Sequence, residues 1–254
     1  MRLIFFGTAG ATQSASDGNV CLAVTARDHS VLVDASGNPV MNLKRAEIDP
    51  LELDVLVLTH AHTDHIYALP SLIHNLWLMR REKTLKIISD RQTRAIAENL
   101  LGHLGLLTKR GLFPLEWICE DHAKLEPSPS LTLSLFPTRH SVPSSGIRIA
   151  EGDSVLVYAS DTSPVDGIVE AARGARALIH EASGRADREA HLNREGHSSG
   201  RQAGIAAARA GVGALYLCHF DYREDIPPAE MRREAQAEFS GEVVTPERYY
   251  WYEV

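Results

Sequence analysis

The sequence predicts a mixed α/β fold in which two β-sheets pack together and carry helices on their outer faces. Three observations predict it. Short strand-like runs alternate with longer helical patterns in both halves of the chain. One run, Leu53–Leu58, is apolar throughout apart from Asp54, as a strand covered on both faces should be. No fixed-period repeat and no low-complexity linker interrupts the 254 residues, so residues 1–254 are read as one domain.

In chain order, Arg2–Phe6, Val20–Ala26 and Ser30–Asp34 read as strands, bounded by Gly, Ser, Asp and Asn clusters. After Leu53–Leu58 a helix is expected over His65–Arg81, where Ile66, Leu69, Ile73, Leu76 and Trp77 recur at helical spacing. Leu85–Ile88 is a strand and Gln92–Leu104 a helix. The Leu-rich stretch Gly102–Pro129, broken by Gly and Pro, takes no assignment and suits a lid or a subunit contact. Strands resume at Leu131–Phe136, Gly146–Ala150 and Val155–Ala159, with Glu151-Gly152-Asp153 as the hairpin turn between the last two. Helices over Val165–Ala172 and Ser198–Ala210 then alternate with strands at Ala177–His180 and Leu215–Cys218. A charged helix, Pro228–Phe239, and a strand around Tyr249–Glu253 close the chain.

Hydrophobic residues make up 44% and charged residues 23%, a globular balance that excludes disorder, collagen-like repeats and coiled coil. No apolar run reaches the ~18–20 residues of a membrane span, so no membrane partner is expected. The opening Met1–Gly7 is too short for a secretory core. Cys21, Cys119 and Cys218 are scattered and form no Cys-x-x-Cys pair. This argues against a disulfide framework or a thiolate zinc site and fits a reducing cytoplasm. The net charge of −7 argues against indiscriminate coating of nucleic acid. The local basic stretch Arg80, Arg81, Lys83, Lys86, Arg91 and Arg94 reads as a solvated helix end. Twelve histidines are the unusual entry.

Their placement points to metal chemistry. After the buried strand comes Thr59-His60-Ala61-His62-Thr63-Asp64-His65, four potential ligands within six residues. His60 and His62, two apart in extended chain, project to one side, while Asp64 and His65 fall where the chain turns into a helix. Neutral imidazole and carboxylate are the ligands of catalytic zinc sites, and packing three imidazoles beside a carboxylate has no cheaper explanation. Two zinc ions need more ligands than this. Candidates recur where apolar strands end, the usual place for sites: His140, Asp161, His180 and His219. Asp161 suits a bridge between two metals through its two oxygens. His29, His74, His103, His122 and His191 read as surface or helix-packing residues.

In this order, His-x-His-x-Asp-His, a later His, a bridging Asp and a final His resemble the signature of the metallo-β-lactamase superfamily. His180-Glu181-Ala182-Ser183, Gly196-His197-Ser198-Ser199 and the opening Gly7-Thr8-Ala9-Gly10-Ala11 resemble motifs of its ribonuclease Z and phosphodiesterase branch. The resemblance runs from Arg2 to about His219 and implies a four-layer αββα sandwich, the metallo-β-lactamase fold, with metals at one edge of the sheets. It implies that His60, His62, His140 and Asp161 bind one zinc, and Asp64, His65, Asp161 and His219 the other, with Mn2+ or Fe2+ as alternative ions. A hydroxide between the ions would attack phosphorus, oriented or deprotonated by Asp64. His197 would contact the phosphoryl oxygen or protonate the leaving group, and His180 and Glu181 would hold His197 or a ligand in place.

The chain departs from the pattern in one respect. Bacterial ribonuclease Z carries a long arm between its third histidine motif and its bridging aspartate and grips transfer RNA with it. Here only Ser141–Ser160 lie between His140 and Asp161, and one strand pair uses them. The related phosphonate-operon phosphodiesterases add a cysteine-rich metal site, which the three scattered cysteines do not resemble. The first reading is therefore a dinuclear zinc phosphodiesterase acting on a small molecule or an RNA end. The alternatives are transfer-RNA 3′-end processing proper, or hydrolysis of a thioester, lactone or β-lactam with Gly102–Leu115 as an acyl pocket. A zinc-binding scaffold without catalysis comes last, because it needs no histidine beyond the ligands. Relatives in the branch are often dimers, which makes the helix over His65–Arg81 a candidate homodimer contact.

Overall fold

Alternating burial builds two seven-stranded sheets in the computed structural model, which describes residues 1–119, 124–128, 130–224 and 226–254. In chain order the first sheet takes β1 (Arg2–Gly7), β2 (Cys21–Ala26), β3 (His29–Val33), β4 (Val55–Val57), β5 (Leu85–Ile88) and β6 (Leu115–Ile118). The second takes β7 (Lys124–Ser128), β8 (Leu131–Pro137), β9 (Ser145–Glu151), β10 (Ser154–Tyr158), β11 (Ala177–Glu181), β12 (Ala214–Cys218) and β13 (Glu242–Val244). The last strand, β14 (Trp251–Glu253), returns to the first sheet and pairs antiparallel with β1. Strands β3 to β6 run parallel, as do β10 to β13. The other pairs are antiparallel.

The period of two along each strand divides the apolar residues between layers. Phe5, Leu22, Val31, Val55 and Val57 meet Leu133, Ile147, Leu156 and Ile179 between the sheets. Their neighbours Ile4, Leu32, Leu56, Leu58 and Ile87 face outward, onto α1 (Pro39–Arg45), α3 (Leu69–Leu78) and α4 (Arg91–His103); the short α2 (Thr63–Ile66) precedes α3. On the far side Val157, Leu178, Leu215 and Leu217 lie under α5 (Asp166–Ala172), α7 (Gly200–Ala210) and α8 (Pro228–Glu238). The remaining helix, α6 (Glu189–Glu195), sits between β11 and α7 in the chain. The result is two central sheets flanked by helices, the αββα layering expected above. No helix among the described residues is long and apolar enough to cross a membrane.

Several elements differ from expectation. The helix expected over His65–Arg81 is two helices, α2 and α3, because Pro70 brings no backbone N–H and sits in the first turn of α3. Helix α1 went unassigned although Asn38-Pro39 marks its start: the Asn38 side chain accepts the Met41 N–H, and proline takes the first helical position. Helix α6 and strand β13 also went unassigned. Gly102–Pro129 supplies the edge strands β6 and β7 of the two sheets, with Leu106 and Phe113 buried under the first sheet. His122 lies outside the described residues.

The basic stretch is not a plain solvated helix end. Arg81 is only 3% exposed. Its guanidinium donates to the backbone carbonyls of Pro50, Leu51, Leu53, Lys83 and Thr84, tying the loop before β4 to the loop before β5. Lys83 pairs with Glu52 and Asp54. Cutting the guanidinium away leaves five carbonyls without this donor, and hydrogen bonds to charged groups contribute about 1.5–3 kcal/mol each before compensation by water. Arg81→Met is therefore expected to lower unfolding stability by about 3 kcal/mol, read from urea unfolding curves, whereas Arg80→Met on the exposed neighbour changes it by less than about 0.5 kcal/mol.

Candidate metal centre

The site forms where parallel strands of both sheets end. Asp34 follows β3, and the segment Thr59–His65 follows β4 and enters α2. Asp161 follows β10, Glu181 ends β11 and His219 follows β12. His140 follows β8, and His197 lies between α6 and α7. Three of these strand ends turn through left-handed backbone at non-glycine residues: Asp34 (φ 62°), Ser160 (φ 55°) and His219 (φ 56°). Such conformations are uncommon outside glycine and mark over-determined, functional turns.

Around Asp161 the imidazole nitrogens converge. Its Oδ2 lies 2.9 Å from His219 Nε2, 3.4 Å from His65 Nε2, 3.7 Å from His60 Nε2 and 3.9 Å from His140 Nε2. Asp64 Oδ2 is 3.4 Å from His65 Nε2 and 3.6 Å from His219 Nε2. His62 Nδ1 meets His140 Nε2 at 2.9 Å. Three overlapping groups arise, each with ligand atoms within 4.8 Å of one another: His60, His62, His140 and Asp161; Asp64, His65 and His219; and Asp161, His197 and His219.

The outer nitrogen of each ring sets its tautomer. His65 Nδ1 donates to Asp34 Oδ2 at 2.7 Å. The Thr59 hydroxyl donates to the same carboxylate and so accepts from His60 Nδ1 at 3.0 Å. His140 Nδ1 donates to the Gly196 carbonyl at 2.8 Å. Ser183 Oγ donates to Glu181 and accepts from His219 Nδ1 at 2.9 Å. With Nδ1 turned to these outer partners, each ring points Nε2 inward, where it can offer its lone pair to a cation. His60 Nε2, His65 Nε2, His219 Nε2 and Asp161 Oδ1 are buried and have no hydrogen-bond partner. Converging acceptors of this kind are costly unless a cation lies among them.

Electrostatics point the same way. Burial keeps His60 well below the usual imidazole pKa, helped by the neighbouring His65, and burial also lowers His62 and His140. These rings stay neutral, the form that binds metal. Burial disfavours charge on His219, but Asp161 and Asp64 outweigh it and push the pKa up to about 10. His65 rises for the same reason, against burial, through Asp161 and Asp34. Asp161 is held well below the carboxylate range, burial being overridden by His219 and His65. The pocket draws positive charge, and protons on His65 and His219 supply it in the absence of an ion.

The cleft over this cluster has a volume of about 600 Å³ and is lined by Thr12, Asp64, Ser141, His191, His197 and Arg223, among others. His197 Nδ1 lies 3.2 Å from both oxygens of Glu181, its ring stacked on His219 with centroids 5.2 Å apart. Glu181 is buried, and its carboxylate also accepts the Thr162 and Ser198 N–H groups. His180 behaves otherwise. Strand alternation turns it to the opposite face of β11, where Nδ1 donates to the Glu181 carbonyl at 2.8 Å, so it holds neither His197 nor a ligand. His191, set aside in the sequence, stands on the cleft wall. Asp34, the anchor of His65 and Thr59, was read only as a strand end; an acid closing an apolar strand just before a turn was its signal. The Gly102–Leu115 segment does not line the cleft. This removes the acyl pocket expected there.

A family model described as a beta-lactamase superfamily domain matches residues 29–220. The chain belongs to this superfamily. Ribonuclease Z of Thermoplasma acidophilum is 27% identical, over 88% of this chain and 87% of its own. The crystal structure of the metallo-beta-lactamase fold protein YhfI from Bacillus subtilis superposes with a TM-score of 0.83 at 25% identity, covering 99% of this chain and 98% of that one. The short form of human tRNase Z has a TM-score of 0.82 at 21% identity, covering 100% and 99%, and shares the fold. Within the beta-lactamase superfamily this chain is a ribonuclease Z-like, metal-dependent hydrolase.

Glycine is required where the chain passes closest to the ligands. Gly196 has φ 83°, and a Cβ there would lie 2.8 Å from the His140 backbone and from its Nδ1. Two variants test how these supports act. Asp34→Asn, which removes the charge behind His65, is expected to weaken divalent-metal binding about 10–100-fold, measured by chelator competition. Gly196→Ala is expected to weaken it similarly by displacing His140.

Proposed function

We propose that the protein is a dinuclear zinc phosphodiesterase acting on an RNA end or a small-molecule phosphodiester. The observation that carries this reading is His197. It is the one cleft imidazole whose outer nitrogen is braced by a buried carboxylate, Glu181, while its ring stands beside the ligand cluster. It lies within reach of Asp161 and His219, yet in this reading it stays off the metal and serves the substrate. The ribonuclease Z relative supports the phosphodiester class.

In this reading His60, His62, His140 and Asp161 hold one ion, and Asp64, His65, His219 and the shared Asp161 hold the other. Bound ions of this charge supply Lewis acidity toward a phosphoryl oxygen and lower the pKa of water toward neutrality. The protein does the rest. Asp64, at the cleft floor, orients the attacking water and takes its proton. His197, burial notwithstanding, is kept protonated by Glu181, which raises its pKa. It then donates that proton to the leaving oxygen. Glu181 is in turn held by two backbone N–H groups and the Ser183 hydroxyl, so it cannot swing away.

The assay is hydrolysis of bis(p-nitrophenyl) phosphate by zinc- or manganese-loaded protein, with His62→Ala as control. Turnover no higher than that control would refute the reading. A short RNA carrying a 3′ extension, run beside it, separates an RNA end from a small diester. His197→Ala is expected to lower kcat by 10²–10⁴-fold with metal content unchanged. Glu181→Gln removes the charge that raises the His197 pKa. His197 then loses its proton at lower pH, and the alkaline limb of the kcat profile moves to lower pH.

A further inference from the structure

The face of β11 opposite Glu181 opens onto a second cavity that shares no lining residue with the catalytic cleft. It has a volume of about 440 Å³ and lies between α5 and α7, with His180 beneath them on β11. Ile168 and Val169 of α5 and Ile205 and Ala206 of α7 form apolar walls. At about 30 Å³ per water-sized group, the space admits roughly fifteen such groups, within the range of small-molecule sites.

Two polar features give the cavity direction. Arg139, Arg201 and Arg209 line it. Arg201 is bound to Glu189 and Arg209 to Asp166, with much of each arginine side chain still exposed. The exposed Arg139 makes no ion pair with a described carboxylate, so the rim keeps a net positive charge. His180 is buried, and its Nδ1–H is committed to the Glu181 carbonyl. Burial holds its pKa below the ordinary value, so the ring is neutral and Nε2 carries a lone pair. Such an atom can accept from a donor placed in the cavity.

We propose that this cavity binds a small amphipathic anion. Its apolar body would lie between α5 and α7, its anionic group at Arg139, and a hydroxyl or N–H on its far end would donate to His180. Three features thus converge: apolar walls, unbalanced positive charge and one imidazole acceptor. Small-molecule sites combine the same elements, an apolar cleft with a few placed polar groups. The inference is independent of the hydrolytic reaction, since no step of it uses these residues.

The probe is 4-hydroxyphenylacetate, titrated calorimetrically into the metal-loaded protein. Saturable one-to-one binding is expected. Phenylacetate, lacking the donor, and 4-hydroxyphenylacetamide, lacking the charge, are each expected to bind up to about tenfold more weakly, the scale of one hydrogen bond. Ala206→Trp, which fills the cavity from the half-buried face of α7, should abolish binding while leaving phosphodiester hydrolysis unchanged, and Arg139→Gln should weaken it. If Ala206→Trp fails to fold, Arg139→Gln and the two analogues decide. Absence of saturable binding overturns the proposal. So does equal binding by wild type and both variants, which would place the anion at the metal centre instead.

Discussion

Asp161 is a buried carboxylate with four imidazole nitrogens within 4 Å of one of its oxygens. Most of the architecture around it follows from keeping those nitrogens there without letting them share protons among themselves. Each ring is gripped from behind: His65 by Asp34, His60 by Thr59, His140 by the Gly196 carbonyl and His219 by Ser183. The outer partners are buried or nearly so and come from strand ends and, for Gly196, from the end of α6. The cost of assembling them is the desolvation of polar groups, recovered only when a cation satisfies the inward-facing lone pairs.

That arrangement explains why the strand ends are strained and why the loops are short. Left-handed turns at Asp34, Ser160 and His219 aim three side chains that extended backbone would send elsewhere. The β9–β10 hairpin, which takes up most of Ser141–Ser160, leaves no room for an arm and delivers Asp161 directly from the end of β10. With no arm, whatever recognises an extended substrate must come from the cleft rim, where His191 and Arg223 stand. The superfamily membership and the hydrolase class rest on the whole chain; the substrate rests on this rim.

Much of this was legible in the sequence, for identifiable reasons. The His60–His65 motif and the strand-end residues were visible because imidazoles and carboxylates are costly to gather in a core without a cation, and the alternation of β and α patterns was strong enough to place most strands within two residues. Failures came where local signals compete. Pro70 divided a helix whose apolar spacing ran unbroken across it, and Arg81 looked like one more surface cation because burial of a guanidinium depends on carbonyls about thirty residues away. His180 and Glu181 were treated as a pair because they are adjacent. In a strand, adjacency means opposite faces, so one joined the site and the other left it. Asp34 was passed over because its partners, Thr59 and His65, are brought to it only by the parallel pairing of β3 with β4.

The residues able to hold metal are drawn from both sheets. His60, His62, Asp64 and His65 belong to the first, and His140, Asp161 and His219 to the second. The ions that satisfy them would therefore act as rivets between two layers otherwise joined by apolar packing and a few polar links such as Ser145 N–H to the Thr59 carbonyl. The edge of the sandwich that carries out the chemistry is then the edge most dependent on its own cofactor for cohesion, so chelation would loosen the interlayer seam there before the distant edges yield.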